Sequence, residues 1–310
     1  MKCFVTGGAG FIGSHLVNYL IKEYKITVYD NMSFGKKEFI SHHFKNKNFK
    51  FIKADLLNFK KLNKCIKSHD IIFHLAANSD ISNNAITDTD LKNGTIATYN
   101  VLEAMRLNKI KQIIFASTSA VYGEAKIKPT PEDYGPLFPI SFYGASKLAS
   151  EGLMSSFCHN FSMKAWIFRF ANVVGKNATH GVIFDFIKKL NKNNKKLLVL
   201  GDGQQSKPYL HVKDCIEGML YGWKNSDEEI NYFNLGCEDA TRVKDIAKMV
   251  VDEMKLKNVK FEYTGKERGW PGDVPQVSLD ASKINKIGWK AKLNSDQAVR
   301  KAIREILKNN

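Results

Sequence analysis

The sequence predicts an α/β protein: a doubly wound parallel sheet with a smaller mixed α/β region attached. Three observations carry this. The chain opens on a short β-prone run, Lys2-Cys3-Phe4-Val5-Thr6, which passes at once into Gly7-Gly8-Ala9-Gly10-Phe11-Ile12-Gly13 and then into Ser14 to Ile21 at helical spacing; that is strand, tight glycine turn and helix. Short apolar runs then alternate with helical patterns, which builds βαβ units and a parallel sheet. The polar candidate residues of this half fall at the carboxyl ends of the runs, where open parallel sheets hold their ligands.

In the opening unit, Gly7, Gly10 and Gly13 suit places where a side chain would obstruct: the turn, the approach of a pyrophosphate, and the packing of helix on strand. The free N–H groups of the helix start, around Phe11 and Ile12, would face phosphates. A second strand, Lys25 to Tyr29, ends in Asp30, where a carboxylate accepts hydrogen bonds from ribose hydroxyls and repels a 2′-phosphate. NAD is therefore the expected cofactor and the half is Rossmann-type. Asn31 to Gly35 reads as a loop. Phe49 to Ala54 is a third strand ending at Asp55, Lys60 to Lys67 is helical, and Ile71 to Leu75 is a fourth strand closed by Ala76-Ala77. Asp90 to Met105 is helical, Gln112 to Ala116 a fifth strand, Ser141 to about Cys158 a helix and Met163 to Phe170 a further strand. Beyond it, short helical pieces (Ile183 to Leu190, Cys215 to Trp223, Val243 to Met254, Ser295 to Leu307) alternate with short strands (Leu197 to Leu200, Tyr232 to Leu235, Lys260 to Tyr263). The expected division is an NAD-binding domain over 1–170, with part of 206–236 returning to it, and an interleaved substrate region over 171–310.

Composition narrows the function classes. With 310 residues, 44% of them hydrophobic, the chain is globular and can bury a large core. It enters its first strand directly and carries no long uninterrupted apolar run, so the expectation is a cytoplasmic protein without a membrane partner. Five scattered cysteines (Cys3, Cys65, Cys158, Cys215, Cys237) form no CxxC pair; reduced thiols and no metal are expected. The net charge of +16 invites a nucleic-acid reading. Yet of the 47 basic residues only Arg106, Arg169, Arg242, Arg268, Arg300 and Arg304 are arginine, and many lysines sit beside asparagine, as in Lys45-Asn46-Lys47-Asn48. That pattern fits solvated faces, and no nucleic-acid partner is expected. The charge does suit an anionic substrate.

Two pieces set the chemistry. In Ser141-Phe142-Tyr143-Gly144-Ala145-Ser146-Lys147, Tyr143 and Lys147 stand at i and i+4 on one helix face. A phenol titrates near 10, too high for a base at neutral pH, and a neighbouring ammonium lowers it; the same lysine can hold nicotinamide-ribose hydroxyls. The fifth strand runs into Ser117-Thr118-Ser119-Ala120-Val121-Tyr122-Gly123, where a hydroxyl can bind the substrate oxygen that Tyr143 deprotonates.

Taken together, Thr6 to Gly13, Asp30-Asn31, His74-Leu-Ala-Ala77, Thr118 to Gly123, Tyr143-xxx-Lys147, Arg169-Phe-Ala-Asn-Val-Val-Gly175 and Gly201-Asp-Gly203 through Asp214 resemble the extended short-chain dehydrogenase/reductases, specifically the NAD-dependent nucleotide-sugar epimerase/dehydratase family. His180-Gly-Val-Ile-Phe-Asp-Phe-Ile and Arg268-Gly-Trp-Pro-Gly-Asp273 are closest in pattern to UDP-glucose (UDP-galactose) 4-epimerases. The resemblance implies that Asp55 and Leu56 flank the adenine and Ala76 the cofactor diphosphate, with Asn31, Leu75 and Ala77 among the cofactor contacts. Thr118, Tyr143 and Lys147 would be catalytic. Asn172, Arg268 and Asp273 would hold the sugar nucleotide, with Ser79, Ser119, Val182, Lys207 and Val277 as further substrate contacts. Lys207 stands where relatives often have a phosphate-binding arginine, and Val277 where a residue limits room at sugar C2; a small residue there predicts acceptance of N-acetylated sugars. Relatives pair through the helices here spanning Asp90 to Met105 and Ser141 to Cys158, so a homodimer is expected.

Two departures stand out. Gly94 occupies a position where relatives commonly carry asparagine. Family 4,6-dehydratases have an acidic pair directly after the catalytic threonine, whereas this chain has Ser119-Ala120, which leaves elimination of water without its acid and base. The sequence reading is therefore NAD-dependent C4 epimerisation of a nucleotide-diphosphate sugar (UDP- or GDP-linked) through a transient 4-keto sugar. The alternatives are a C4 dehydrogenase of a sugar such as GDP-heptose that releases the ketone, a 4,6-dehydratase, and a non-catalytic binding protein.

Overall fold

The computed structural model describes residues 1–78 and 87–308. β1 (Lys2–Thr6) leads through the glycine turn into α1 (Phe11–Leu20), followed by β2 (Lys25–Asp30), β3 (Phe49–Lys53), α2 (Phe59–Cys65) and β4 (Ile71–His74). The short α3 (Asp88–Asp90), a π-helical turn (Leu91–Ile96) and α4 (Ala97–Leu107) run on from one another without interruption, and a short turn leads to β5 (Gln112–Thr118). A 3₁₀ turn (Ser119–Tyr122) and a long loop precede α5 (Phe142–Phe161) and β6 (Lys164–Phe170). The second half holds β7 (Asn172–Val174), α6 (Val182–Lys192), β8 (Lys196–Val199), β9 (Ser206–Lys207), β10 (Tyr209–His211), α7 (Val212–Lys224), β11 (Ile230–Leu235), β12 (Thr241–Arg242), α8 (Val243–Glu253), β13 (Lys260–Tyr263), α9 (Ser282–Lys286) and α10 (Ser295–Leu307).

Seven strands form the central sheet in the order β11-β6-β5-β4-β1-β2-β3, every pair parallel. The order reverses between β1 and β4, which opens a crevice above their carboxyl ends. Such a sheet needs apolar residues on both faces, and the strands supply them. Val5, Ile114 and Phe168 pack on one side with Leu16 of α1 and Ile216 of α7; Phe4, Ile113 and Ile167 pack on the other with Leu62, Val101 and Met154 of α2, α4 and α5. A third core joins Ile183 and Ile187 of α6, Ile246 and Val250 of α8, and Val299 and Ile303 of α10 around β8 and β10. Three two-stranded pairings, β10–β7, β12–β9 and β13–β8, complete this part. Among the described residues no helix is long and apolar enough to cross a membrane, and the five cysteines are free thiols.

The expected elements recur with informative differences. β5 extends to Thr118, two residues past the apolar run, because its ladder with β6 continues through Ser117↔Arg169 and Thr118↔Phe170. The helix expected over Asp90 to Met105 contains the π turn, with Gly94 buried inside it. There a Cβ would come within 2.4 Å of Ser146 Oγ and 2.9 Å of Ser146 Cβ, so glycine lets the turn lie directly on α5. A side chain at this position would require Ser146 to shift. Gly94→Ala should overpack the contact and lower stability by about 1–3 kcal/mol, measured by denaturant unfolding.

Candidate active site

The glycine turn forms the floor of the crevice. Gly7 has φ +68°, a left-handed conformation, and a Cβ on it would lie 2.7 Å from Ala76 N; a Cβ on Gly13 would lie 2.1 Å from Gly7 O. Gly10 N donates to Gly7 O at 3.1 Å, closing the turn. Gly10 is also the N-cap of α1 and no side chain caps it, so the first-turn N–H groups of Phe11, Ile12 and Gly13 point out of the helix at its positive end, an anion cradle.

Asp30, buried at the end of β2, accepts from Ala9 N at 3.0 Å and Met32 N at 2.8 Å. Burial raises its carboxyl and these two backbone donors work against that rise. Asn31 Nδ2 donates to Asp55 Oδ2 at 3.0 Å, and Asn100 Nδ2 donates to Leu56 O at 3.0 Å. At the end of β4, Leu75 N donates to Thr6 O at 3.2 Å and Ala76 N to Thr6 Oγ1 at 3.3 Å, with Ala77 following, partly buried. A cradle that side chains would fill, followed by a buried acid at the next strand end, fits a dinucleotide.

Across the crevice stand the candidate reacting groups. The Thr118 hydroxyl faces the phenol of Tyr143, whose pKa it lowers, and accepts from Ala120 N at 3.2 Å. Lys147 is buried, donates from Nζ to Ala116 O at 2.6 Å, and lies 5.8 Å from the Tyr143 ring centroid. Burial pushes the Tyr143 phenol up to about 12, reinforced by Asp90 and opposed by the Thr118 bond. Burial pulls Lys147 down to about 7, with Glu151 and Asp90 opposing. The expectation that the lysine charge sets the phenol is thus modified: in the protein alone burial dominates at Tyr143, and the lysine is turned to the strand.

The expected substrate residues cluster beside this group. Lys207 of β9 forms an ion pair with Asp273 that is nearly closed to solvent, and Asp273 Oδ2 also accepts from Gly269 N at 3.1 Å. Arg268 donates to Asp273 O at 2.7 Å and to Glu124 Oε1 at 2.7 Å. Asn172 of β7 pairs with Tyr209 of β10 in the ladder, and its side chain lowers the pKa of the Tyr209 phenol, which burial raises. Val277 N donates to Ser206 O at 3.0 Å and its side chain is half-buried against the core. Val182 is the first residue of α6, Ser119 opens the 3₁₀ turn after Thr118, and Ser79 lies outside the described residues. Sequence reasoning did not single out Glu124, Glu151, Trp270, whose ring lies under Lys207 Nζ at 5.2 Å, or Tyr209. For Glu151 the available signal was its place at i+4 from Lys147.

The profile of the NAD dependent epimerase/dehydratase family matches residues 3–236. A provisionally named UDP-glucose 4-epimerase of Methanocaldococcus jannaschii is 31% identical over 319 residues, covering 99% of this chain and 98% of that protein. A crystal structure titled UDP-galactose 4-epimerase superposes with a TM-score of 0.90 at 37% identity, covering 100% of this chain and 99% of that one. The UDP-glucuronic acid 4-epimerase of Bacillus cereus, solved with UDP-glucuronic acid and NAD, gives 0.90 at 29% identity, with both chains covered in full. The glycine cradle, the acid at the end of β2 and the Thr118–Tyr143 pair facing them thus belong to a known lineage of enzymes: the chain is a member of the NAD dependent epimerase/dehydratase family, and its cofactor is NAD.

Proposed function

We propose that the protein is a C4 epimerase of a UDP-linked sugar, working through a transient 4-keto sugar. The observation that carries the reading is the facing pair of Thr118 and Tyr143 beside the uncapped glycine turn, with two candidate phosphate-binding cations, Lys207 and Arg268, both joined to Asp273. When bound, NAD supplies the hydride acceptor for sugar C4 and, in its oxidised form, a positive charge that favours the phenolate. Tyr143 takes the proton of the 4-hydroxyl and returns it after the sugar has turned. Thr118 holds the same oxygen and fixes its lone pairs. Lys147, close enough to neutral pH to carry charge, supports the phenolate and the ribose hydroxyls. Gly7, Gly10, Gly13 and the first turn of α1 would hold the cofactor diphosphate, Asp30 the adenosine ribose, and Asn31, Asp55, Leu56, Leu75, Ala76 and Ala77 the surrounding contacts.

Arg268, Lys207 and Asn172 would bind the sugar-nucleotide diphosphate region and Asp273 its ribose. The residues after Thr118, Ser119 and Ala120, offer no carboxyl group for elimination of water, which favours epimerisation over 4,6-dehydration. The division into a cofactor domain over 1–170 and an interleaved substrate region over 171–310 belongs to the same reading. We also place a homodimer contact on the helices before β5 and β6: Ile96 and Tyr99 on one, and Ala145, Ala149 and Gly152 on the other, are exposed.

Incubation with UDP- and GDP-sugars, following NADH absorbance and the C4 configuration of the product, tests the function. Inversion without net NADH is expected, and a released ketone that needs an external acceptor would replace epimerase by dehydrogenase. Tyr143→Phe should lower kcat by about 10²-fold or more while the variant still binds NAD. Val277→Tyr should suppress turnover of the N-acetylated sugar more than that of the plain hexose; equal loss on both would count against Val277 as the C2 gauge. Ala149→Glu should convert the dimer to monomer in light scattering.

A further inference from the structure

Three consecutive residues at the end of β5 are each tied to a different side chain of α5. Ala116 O accepts from Lys147 Nζ at 2.6 Å, Ser117 Oγ donates to Glu151 Oε1 at 2.5 Å, and the Thr118 hydroxyl faces the Tyr143 phenol. Tyr143, Lys147 and Glu151 stand at i, i+4 and i+8, one face of one helix. Glu151 is buried and clamped from the neighbouring strand: Arg169, paired with Ser117 across the ladder, donates from Nε to Oε1 at 3.1 Å and from Nη2 to Oε2 at 2.7 Å. The guanidinium is itself fixed, with Nη1 donating to Tyr122 OH at 2.9 Å and Glu132 O at 2.7 Å. A carboxylate held from three sides in this way cannot swing, so it fixes both the strand end and the field along the helix face.

We propose that Glu151 is the positioning residue of this active site: locked by Arg169 and Ser117, its carboxylate holds the strand end that carries Thr118 and stands one helical turn beyond Lys147 on the same face. The inference rests on the reading of Thr118, Tyr143 and Lys147 as the catalytic group. Among the described residues, the charged and titratable groups facing Lys147 are few. Its own helix offers Tyr143 and Glu151, and α3 offers Asp90. β4 offers His74, which burial holds neutral with its pKa lowered to about 3. β5 contributes only the Ala116 carbonyl and the Phe115 ring, 4.5 Å from Nζ, and Arg169 of β6 lies behind Glu151. Of the influences opposing the burial of Lys147, that of Glu151 is the larger and Asp90 follows. Removing the Glu151 charge therefore lowers the Lys147 midpoint, and the ammonium is lost at a lower pH.

The test is a ¹³Cε-lysine NMR titration of the NAD-loaded protein, with the Lys147 signal assigned by its absence in Lys147→Arg. Glu151→Gln should lower the Lys147 midpoint by about one pH unit or more, and Glu151→Asp should restore most of it. In parallel, Glu151→Gln should lower kcat about tenfold with little change in KM and move the alkaline limb of the kcat profile to lower pH. Because the single variant strands a buried guanidinium, the charge-balanced Glu151→Gln/Arg169→Met is the companion, with the same shift expected. A folded double variant whose Lys147 titrates with the wild-type midpoint overturns the proposal and leaves the pair as scaffolding. A shifted midpoint in a protein that turns over no UDP-sugar would uphold the role of Glu151 and defeat the substrate reading instead.

Discussion

The closeness of the glycine turn to the end of β4 is the constraint on which the rest depends. A Cβ on Gly7 would sit 2.7 Å from Ala76 N, so β1 and β4 can lie side by side at the switch point only because that turn has no side chain. Thr6 then links the two strand ends: its hydroxyl accepts from Ala76 N and bonds His74 Nδ1 at 2.7 Å. The same contact that closes the sheet therefore opens the crevice, because the first turn of α1 is drawn over the strand ends with its N–H groups facing outward.

From that point a chain of buried polar contacts carries rigidity to the reacting side. His74 Nε2 bonds Thr98 Oγ1 at 3.0 Å, and Ser150 Oγ bonds Thr98 Oγ1 at 3.1 Å. The imidazole, neutral at any pH near 7, thus spans from the cofactor turn through α4 to α5, the helix that carries Tyr143 and Lys147. A fully satisfied buried network of this kind specifies a single arrangement, whereas a half-satisfied one would cost stability. The π turn over Leu91–Ile96 serves the same end. It seats Gly94 against Ser146, one residue before Lys147, so the helix that bears the reacting groups is fixed from a second direction.

Much of this was legible in the sequence because it rests on local rules. The glycine spacing, the acid at the end of β2 and the i, i+4 pair of Tyr143 and Lys147 each follow from short-range geometry, and so does the helix Ser295–Leu307, whose Asn294 and Gln297 form a capping box. What escaped depends on groups far apart in the chain. Arg169 meets Glu151 and Tyr122 only once β6 is paired with β5, and the two-residue strands β9 and β12 pair with each other across more than thirty residues of chain. The π turn escaped for another reason: its apolar spacing reads as ordinary helix, and only the contact with Ser146 distinguishes it. Burial, which a sequence does not display, raises the Tyr143 phenol in the protein without its cofactor.

The two cations proposed for the substrate diphosphate are not equivalent. Lys207 is paired with Asp273 where both are nearly closed to solvent, 11% and 3% exposed; separating them would leave a buried charge without its partner, a large cost. Arg268 and Glu124 are 37% and 49% exposed, and an ion pair in such surroundings is worth at most about 1 kcal/mol. A diphosphate approaching this region can therefore take the guanidinium from Glu124 cheaply, while Lys207 must keep its carboxylate and add an anion to it. Glu124 follows directly on the 3₁₀ turn and Gly123 that lead from Thr118, so the weaker pair is joined by a short stretch of chain to the threonine proposed to act on the substrate. On the proposed reading, the exposed pair is the one a ligand can open, and the buried pair is the one that keeps its geometry.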